Sequence, residues 1–194
     1  MSMDLNPEKI AEIDKLVLES QDGNSEAFAK LYDHFIQPIY RYVFYRVGSD
    51  DAEDLTELIF LKTWENIRQY RKGDRNFSSW IFRIAHNVVV DHYRAHKAQD
   101  ELKEDIEDPR REANTIERAH RRFDKELLSS AMAKLKDHYR QILILKYMND
   151  LPNDEIAHIT GRSQPALRIL QFRALRALKR ILADMGVSEV EINL

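Results

Sequence analysis

The chain has 194 residues, of which 43% are hydrophobic and 32% are charged, enough apolar surface for one medium domain or two small ones. It contains no Cys, which excludes disulfides, thiolate zinc sites and cysteine nucleophiles, and favours a reducing compartment such as the cytoplasm. The 5 Gly and 5 Pro are too few for the tight turns of an all-β fold. No apolar run approaches the roughly 18 residues of a membrane helix. We therefore expect an all-α, cytoplasmic protein without direct membrane insertion.

Helical periodicity runs through the first half of the chain. An N-terminal helical extension, residues 1–24, precedes a run of apolar residues that Ser25 opens. Pro38 stands early in a second run, which Gly48 closes. The pattern predicts one helix for each run, because Pro is tolerated in the first turn of a helix and Gly is common just after its end.

Two further helices complete a predicted bundle over residues 25–96. Ser49 or Asp50 is expected to cap the third helix, whose first turn is acidic, as the helix dipole favours. A polar loop rich in Arg, Lys, Gly and Asp follows it. Ser78 or Ser79 is expected to open the fourth helix. Short connections between four amphipathic helices indicate a compact bundle.

A linker separates this bundle from a second helical domain. Residues 99–112 hold seven acids, three bases and only two aliphatic residues, too little apolar surface to order the segment. We therefore predict a flexible acidic linker over 97–114. A second helical domain is predicted over 115–185, followed by a C-terminal tail at 186–194.

The second domain has the pattern of a helix-turn-helix. Asn153 or Asp154 is expected to cap a short helix that ends at Gly161, where the turn needs a residue tolerant of positive φ. Ser163 is expected to cap the next helix, with Pro165 in its first turn. Such a second helix would enter a DNA major groove with its N-terminal residues at base edges.

The C-terminal helix is strongly basic. Residues 161–183 contain six Lys and Arg residues and no acid, a distribution typical of nucleic-acid binding. A solvated helix face would explain the charge equally well. An ordinary helical hairpin is likewise an alternative to the helix-turn-helix, and the residues alone leave these interpretations open.

The chain resembles bacterial sigma factors of the sigma-70 family, in particular the extracytoplasmic-function (ECF) group. The resemblance rests on DAEDLTELIFLKTW at 51–64, FSSWIFRIAHNVVVDHYR at 77–94 and NDEIAHITGRS at 153–163. It implies that the first bundle, called region 2, binds the clamp of core RNA polymerase and melts the −10 promoter element. It implies that the second domain, region 4, binds the −35 element and the polymerase flap. Core RNA polymerase, promoter DNA and an anti-sigma factor are the implied partners, and no cofactor or enzymatic activity is implied.

The resemblance also implies three sets of binding residues. The polymerase-binding set combines acids with apolar area: Asp51, Asp54, Leu55, Glu57, Leu58 and Leu61. The −10 set combines cations for the DNA backbone with polar readers of bases: Arg71, Lys72, Arg75, Asn76, Ser79, Arg83, Asn87 and Arg94. The −35 set lies on the turn and second helix of the helix-turn-helix: Arg162, Ser163, Gln164, Ala166, Arg168, Arg173 and Arg176. Phe77 and Trp80 are expected to lie in the core rather than to stack on bases.

The chain departs from the family pattern at two places and from the general helix-turn-helix pattern at a third, Arg162. Glu57 and Leu58 stand where Gln-Glu is usual, which adds an apolar residue to the predicted clamp-binding helix. Arg162 follows the turn glycine, where an apolar residue is usual. Residues 165–169 also differ from the usual recognition helix, so a base preference cannot be transferred from relatives.

Two other classes of function are alternatives to a sigma factor. His92 and His96 have the i, i+4 spacing of metal ligands, with Asp91 beside them. The sequence shows neither a third ligand nor a general base, so we expect neither a metal site nor catalysis. A helical metal hydrolase built on this pair is one alternative, and a helix-turn-helix regulator that acts without polymerase is the other. Comigration with core RNA polymerase would distinguish the regulator from a sigma factor.

Overall fold

The structure is a computed structural model that describes residues 7–73, 76–100 and 126–187. All regular secondary structure in these residues is helical, which confirms the all-α prediction. The eight α-helices of the described part are α1 (Pro7–Gln21), α2 (Ser25–Val47), α3 (Ala52–Asn66), α4 (Phe77–Asp100), α5 (126–133), α6 (Asp137–Leu143), α7 (Asn153–Thr160) and α8 (Gln164–Asp184). A 3₁₀ turn, Ile67–Gln69, extends α3, and a π-helical segment, Ile144–Met148, extends α6. None of the described helices is both long and apolar enough to cross a membrane.

The two runs predicted as separate helices around Pro38 form the single helix α2. Pro38 has no N–H, so one backbone hydrogen bond is lost within the helix. The helix continues through Pro38 because its neighbours Phe35 and Ile39 are both fully buried in the bundle core. The prediction of two helices was therefore wrong, since packing outweighed a local breaker.

The first two capping residues also differ from the predicted ones. Asn24 caps α2 in place of Ser25. Its Oδ1 accepts hydrogen bonds from the backbone N–H of Glu26 at 3.0 Å and from that of Ala27 at 3.1 Å. Asp51 occupies the N-cap position of α3, but its side chain makes no capping hydrogen bond. Neither Ser49 nor Asp50 caps that helix. The carboxylate of Asp51 is therefore available for other contacts.

Among the caps of α4, α7 and α8, one prediction is confirmed. Asn76 precedes α4, and its Oδ1 accepts from the backbone N–H of Ser79 at 3.1 Å, so neither predicted serine is the cap. Pro152, not Asn153 or Asp154, precedes α7 and supplies no side-chain cap. Ser163 does cap α8, accepting from the N–H of Ala166 at 3.4 Å.

Helices α1–α4 form the N-terminal bundle (residues 7–100), and α5–α8 form the C-terminal unit (residues 126–187). The bundle core is filled by large apolar side chains from all four helices, including Val17, Leu31, Phe35, Ile39, Tyr42, Ile59, Phe82 and Val89. The C-terminal unit buries a smaller set, including Met132, Ile142, Leu145, Ile156, Ile159, Leu167 and Ala174. The buried residues of the two units together form one hydrophobic cluster.

The helix-turn-helix consists of α7, a turn and α8. Gly161 adopts the left-handed conformation with φ of 67°, as the sequence predicts, because glycine enters this region without steric cost. The backbone N–H of Arg162 donates to the carbonyl of Ala157 at 3.0 Å and closes the end of α7. Ile156 and Leu167 are fully buried between the two helices.

Helix α4 continues to Asp100, so residues 97–100, the start of the predicted linker, have helical backbone. Residues 101–114 of that linker lie outside the described residues, as do Arg75 of the predicted −10 set and the tail from residue 188 onward.

The N-terminal bundle and the C-terminal unit pack against each other. Helix α7 lies on α4, and α6 lies on α2. Arg46 of α2 is buried, and its Nε lies 2.9 Å from Asp137 Oδ1 of α6 while a terminal nitrogen donates to Oδ2 at 3.0 Å. Tyr42 accepts a further hydrogen bond from Arg46 at 2.8 Å. A buried cation thus joins the two units.

Candidate polymerase and promoter interfaces

Four residues of the predicted polymerase-binding set share one exposed face of α3. Asp54, Glu57, Leu58 and Leu61 recur at i, i+3, i+4 and i+7, which places them in one row. All four are exposed, and Leu58 and Leu61 expose 38% and 54% of their surface. Leu55 is half-buried between this row and the core. The exposed row combines carboxylates with apolar area, as a contact with a basic partner helix requires.

Trp64 extends this face, and sequence reasoning did not include it. Its ring is 39% exposed and lies edge-on to Phe28 with centroids 4.8 Å apart. Tyr32 is 38% exposed, and its ring packs against that of Phe60 of α3, with ring centroids 4.5 Å apart. The signal was present in the sequence, because Trp64 follows Leu61 by three residues. We define the α3 face as the exposed surface formed by Asp54, Glu57, Leu58, Leu61 and Trp64.

The cations of the predicted −10 loop are partly used within the bundle. Arg71 donates to the carbonyls of Arg68 at 2.6 Å and Tyr70 at 3.1 Å. Lys72 forms an ion pair with Asp14 of α1 at 2.7 Å. Both cations are exposed, although Asp14, the partner of Lys72, has a side chain that is only 12% exposed. These cations could therefore exchange their present partners for phosphate.

The start of α4 is covered by α7. Asn76 donates to Glu155 Oε1 at 2.6 Å, and Ser78 donates to Oε2 of the same carboxylate at 2.7 Å. Arg83, further along α4, donates to the carbonyls of His158 at 2.8 Å and Ile159 at 2.9 Å. Both ends of α7 are thus held by side chains of α4.

This packing bears directly on the predicted −10 residues. Asn76 and Arg83 already donate hydrogen bonds to carboxylate and carbonyl oxygens of α7. The same N–H groups would be needed to bind oxygen atoms of DNA. Ser79 is fully buried, so in this arrangement it is unavailable to DNA, contrary to the expected exposure of a DNA-contacting residue. Asn87 and Arg94 are exposed further along α4. The structure therefore divides the predicted −10 set into a covered part and an open part.

A cleft of about 370 Å³ lies where α7 meets the start of α4. Its walls include Asn76, Asp154, Glu155 and Arg162. Burial raises the pKa of the Glu155 carboxyl, while the hydrogen bonds from Ser78 and Asn76 lower it in part. The cleft thus lies at the interface between the two units, and its walls are polar.

The aromatic residues beside the −10 loop are packed together. Phe77 is buried, as predicted, and contacts Tyr70 with ring centroids 5.4 Å apart. Trp80 is half-buried and lies 5.4 Å from Phe77 and 5.5 Å from Tyr70 between centroids. The expectation that Phe77 belongs to the core is confirmed, and Trp80 lies at its edge.

The predicted −35 set lies largely in solvent. Arg162, Ser163, Gln164 and Arg168 are exposed around the N-terminus of α8, and Ala166 is half-buried. Further along the helix, Arg173 and Arg176 are also exposed. An open helix N-terminus with arginines beside it can meet both phosphates and base edges.

Two exposed apolar residues lie among these arginines and were not predicted as site residues. Ile169 and Phe172 expose 54% and 62% of their surface. The Phe172 ring lies under the guanidinium of Arg176, 5.8 Å from its centroid. Their spacing of three residues on the outer face of α8 could have indicated this apolar strip.

A second contact between the units involves His86. Its Nδ1 lies 2.7 Å from Gln141 Nε2 of α6. Burial, together with the nearby charges of Arg46 and Arg83, lowers the pKa of His86 to about 4. The imidazole is therefore neutral near pH 7, and the contact depends on that neutral form.

Comparison with known proteins identifies both halves of the chain. Residues 31–99 match the family model for sigma-70 region 2, and residues 125–178 match that for sigma-70 region 4. The ECF RNA polymerase sigma factor BldN of Streptomyces coelicolor is 33% identical over 176 residues; the match covers 88% of this chain but only 66% of BldN.

Two solved structures share the fold. CnrH, in complex with the cytosolic domain of CnrY, has a TM-score of 0.69 at 22% identity, covering 89% of this chain and 98% of that one. The sigma factor RpoE in complex with the anti-sigma factor NepR from Bartonella quintana has a TM-score of 0.65 at 19% identity, covering 80% and 96%. With region 2 and region 4 both matched, and with an ECF sigma factor among its relatives, the chain belongs to the ECF group of the sigma-70 family.

Proposed function

We propose that this chain is a transcription initiation factor that binds core RNA polymerase in the cytoplasm and directs it to specific promoters. In this proposal region 4 binds the −35 element, and region 2 recognises and melts the −10 element. The polymerase supplies all catalysis, and the chain needs neither a catalytic residue nor a cofactor.

The open N-terminus of α8 is the observation that carries the proposal. Its left-handed turn at Gly161 and its Ser163 cap present α8 as a recognition helix. In this proposal the exposed Arg168 donates two hydrogen bonds to a base edge, and the exposed Arg173 and Arg176 hold phosphates. Sequence preference would then reside in Arg162, Gln164 and Arg168, and general affinity in the later arginines.

Binding of the −10 element by region 2 requires a rearrangement. Asn76 and Arg83 must release the oxygens of α7 before they can bind DNA. The hydrogen bonds that they lose can be replaced by hydrogen bonds to phosphate or base oxygens, so the exchange is close to balanced. We therefore assign the described arrangement to the free factor, and DNA melting to a form in which α7 has left α4.

The α3 face is our candidate for the polymerase clamp. Its carboxylates would steer it toward a basic surface, while Leu58, Leu61 and Trp64 would supply the apolar centre of the contact. Region 4 would contact the polymerase flap. Leu58 thus adds apolar area where the family usually has an acid, which strengthens the apolar part of the contact.

An anti-sigma factor is the third proposed partner. CnrH is bound to the cytosolic domain of CnrY, and RpoE is bound to the anti-sigma factor NepR. An inhibitor of this kind would act by stabilising a form in which the α3 face or region 4 is covered.

Transcription with purified components tests the proposal. The chain is added to core RNA polymerase on a genomic library, and run-off products identify its promoters. We expect products only when both proteins are present, and Arg168→Ala should reduce them while Arg180→Ala, at the far end of α8, leaves them unchanged. A chain that binds DNA but neither comigrates with the polymerase nor yields products is instead a helix-turn-helix regulator.

A further inference from the structure

The turn between α2 and α3 lies against the second half of α4. Tyr93 of α4 donates a hydrogen bond to the backbone carbonyl of Arg46, near the end of α2. This contact holds the turn in place, and the residue that precedes α3 is then close to α4. Asp51 Oδ2 lies 3.5 Å from His92 Nε2.

His96 completes a cluster of three potential metal ligands. It follows His92 by one helical turn, and the two imidazole centroids are 4.2 Å apart. One ligand atom from each of Asp51, His92 and His96 can be chosen so that all three lie within 4.8 Å of one another. The sequence displayed the histidine pair, but the third ligand lies some forty residues away and is brought there only by the fold.

The distances suit a small tetrahedral ion. Zinc binds imidazole nitrogen and carboxylate oxygen at about 2.0–2.2 Å, so neighbouring ligand atoms of a tetrahedral site lie about 3.4 Å apart. The Asp51–His92 distance of 3.5 Å already meets this value. His96 is exposed, so rotation of its side chain can close the remaining distance without disturbing the core.

The local structure also leaves Asp51 available. It stands at the N-cap of α3 and makes no capping hydrogen bond, and 45% of its side chain is exposed while the His92 side chain is only 13% exposed. One ligand is thus fixed by packing and two lie at the surface where an ion can enter. Two imidazoles and one carboxylate suit zinc and its neighbours in the first transition row, whereas magnesium and calcium prefer oxygen ligands only.

We infer that Asp51, His92 and His96 form a binding site for a divalent transition-metal ion, best matched by Zn²⁺, with water in the remaining coordination position. The ion would tie the first turn of α3 to α4 and neutralise Asp51, which borders the α3 face. This site does not depend on the proposed function, because its evidence is the ligand geometry alone.

Metal titration of the tag-free, full-length chain tests the site. Zn²⁺ is added in competition with a chromophoric chelator, and we expect one ion per chain. His96→Gln and Asp51→Asn should each weaken binding about tenfold or more, since both remove a ligand from the surface without opening the core. Mg²⁺ at millimolar concentration should not compete.

His34→Gln is the matched control, because His34 Nε2 also lies near a carboxylate, 3.8 Å from Glu12, but belongs to no cluster of three potential metal ligands among the described residues. It should leave Zn²⁺ affinity unchanged. In nuclear magnetic resonance spectra, Zn²⁺ should shift the ring signals of His92 and His96 in the wild-type chain and leave that of His34 in place. No binding by the wild type at micromolar Zn²⁺, equal affinity in His96→Gln, or an equal loss in His34→Gln would each overturn the inference.

Discussion

The start of α4 and the start of α8 carry similar side chains but have different surroundings. On α8, Arg168 and Arg173 lie in solvent. On α4, Arg83 donates to two carbonyls at the C-terminal end of α7, and Asn76 donates to Glu155. A guanidinium that serves DNA can equally serve the negative end of a helix, because both offer exposed oxygen acceptors. A DNA-binding surface that is predicted from residue types is therefore available to DNA only if no other part of the chain occupies the same hydrogen-bond donors.

Loss of the ion pair between Arg46 and Asp137 is expected to have the largest effect, because this pair holds the two units together and so keeps α4 covered. Asp137→Ala leaves a buried guanidinium without its carboxylate, a change that costs about 3–5 kcal/mol when both partners are buried. Because 49% of the Asp137 side chain is exposed, we expect about 2 kcal/mol of weaker contact between the units. Energy transfer between dyes on α1 and α8 should fall, and a single-stranded −10 oligonucleotide should bind more tightly.

Asp184→Ala is the control for that experiment, since Asp184 pairs at 3.9 Å with Arg180 on the surface of α8, away from the interface. It should change neither energy transfer nor oligonucleotide binding. If Asp137→Ala separates the units and the −10 affinity stays constant, the covering of α4 by α7 does not limit DNA binding.

The α3 face is tested by Leu58→Glu. Leu58 is exposed, so the added charge should change the free energy of unfolding by no more than about 0.5 kcal/mol. Affinity for core polymerase should fall about tenfold, which corresponds to about 1.4 kcal/mol. Leu18→Glu makes the same change on α1 at another exposed leucine and should leave affinity unchanged. Equal affinities for both variants would remove the α3 face from the polymerase contact.

The role of α8 is sharpened by the salt dependence of its binding to −35 duplex DNA. If Arg173 holds a phosphate, Arg173→Ala should weaken all sequences alike and lower the slope of log K against log salt by about 1. Arg180 already pairs with Asp184, so Arg180→Ala should leave the slope nearly unchanged. Arg83→Ala should also leave it constant, because α4 takes no part in this contact; a change there would mean that the two surfaces are not independent.

Near neutral pH, the smallest expected effect is that of pH on the contact between the units. His86 on α4 faces Arg46 of α2, Arg83 of α4 and Asp137 of α6. Its pKa is about 4 in the packed form against about 6.5 in a solvated one. The separated form therefore binds more protons between these values, and the contact weakens as pH falls from about 6.5 toward 4.

Energy transfer measured across that range checks the prediction, and His86→Gln should remove most of the dependence while His34→Gln keeps it. Glu155 acts in the opposite direction, because its raised pKa favours proton uptake by the packed form. A contact that strengthens steadily on acidification would show that Glu155, not His86, dominates.

Local patterns predicted most helices and the turn at Gly161, while the capping residues were less predictable. Ser163 caps α8 as expected, but Asn24 caps α2 and Asn76 caps α4. Several neighbouring polar residues can serve as caps, and the path of the incoming chain selects among them. Pro38 was misread for a similar reason, since the buried residues around it outweigh its missing hydrogen bond.

Of the predicted sites, those on a single helix were the more predictable. The row formed by Asp54, Glu57, Leu58 and Leu61 follows from helical spacing alone, and the structure exposes all four. Ser79 fits no such rule, because its burial depends on how α4 packs within the protein. Trp64 could have been included by the same spacing argument.

The sequence by itself determined the all-α class, the helix-turn-helix with its left-handed glycine, and the family, because these depend on residues close together in the chain. The tertiary structure alone decided which donors are occupied and which distant groups meet. Glu155 reaches Asn76 and Ser78 of α4, and Asp51 reaches His92, across intervals in which the sequence contains no matching pattern. Such pairs are fixed by helix packing, where burial of apolar faces sets the positions and the polar groups bond with the neighbours that packing provides.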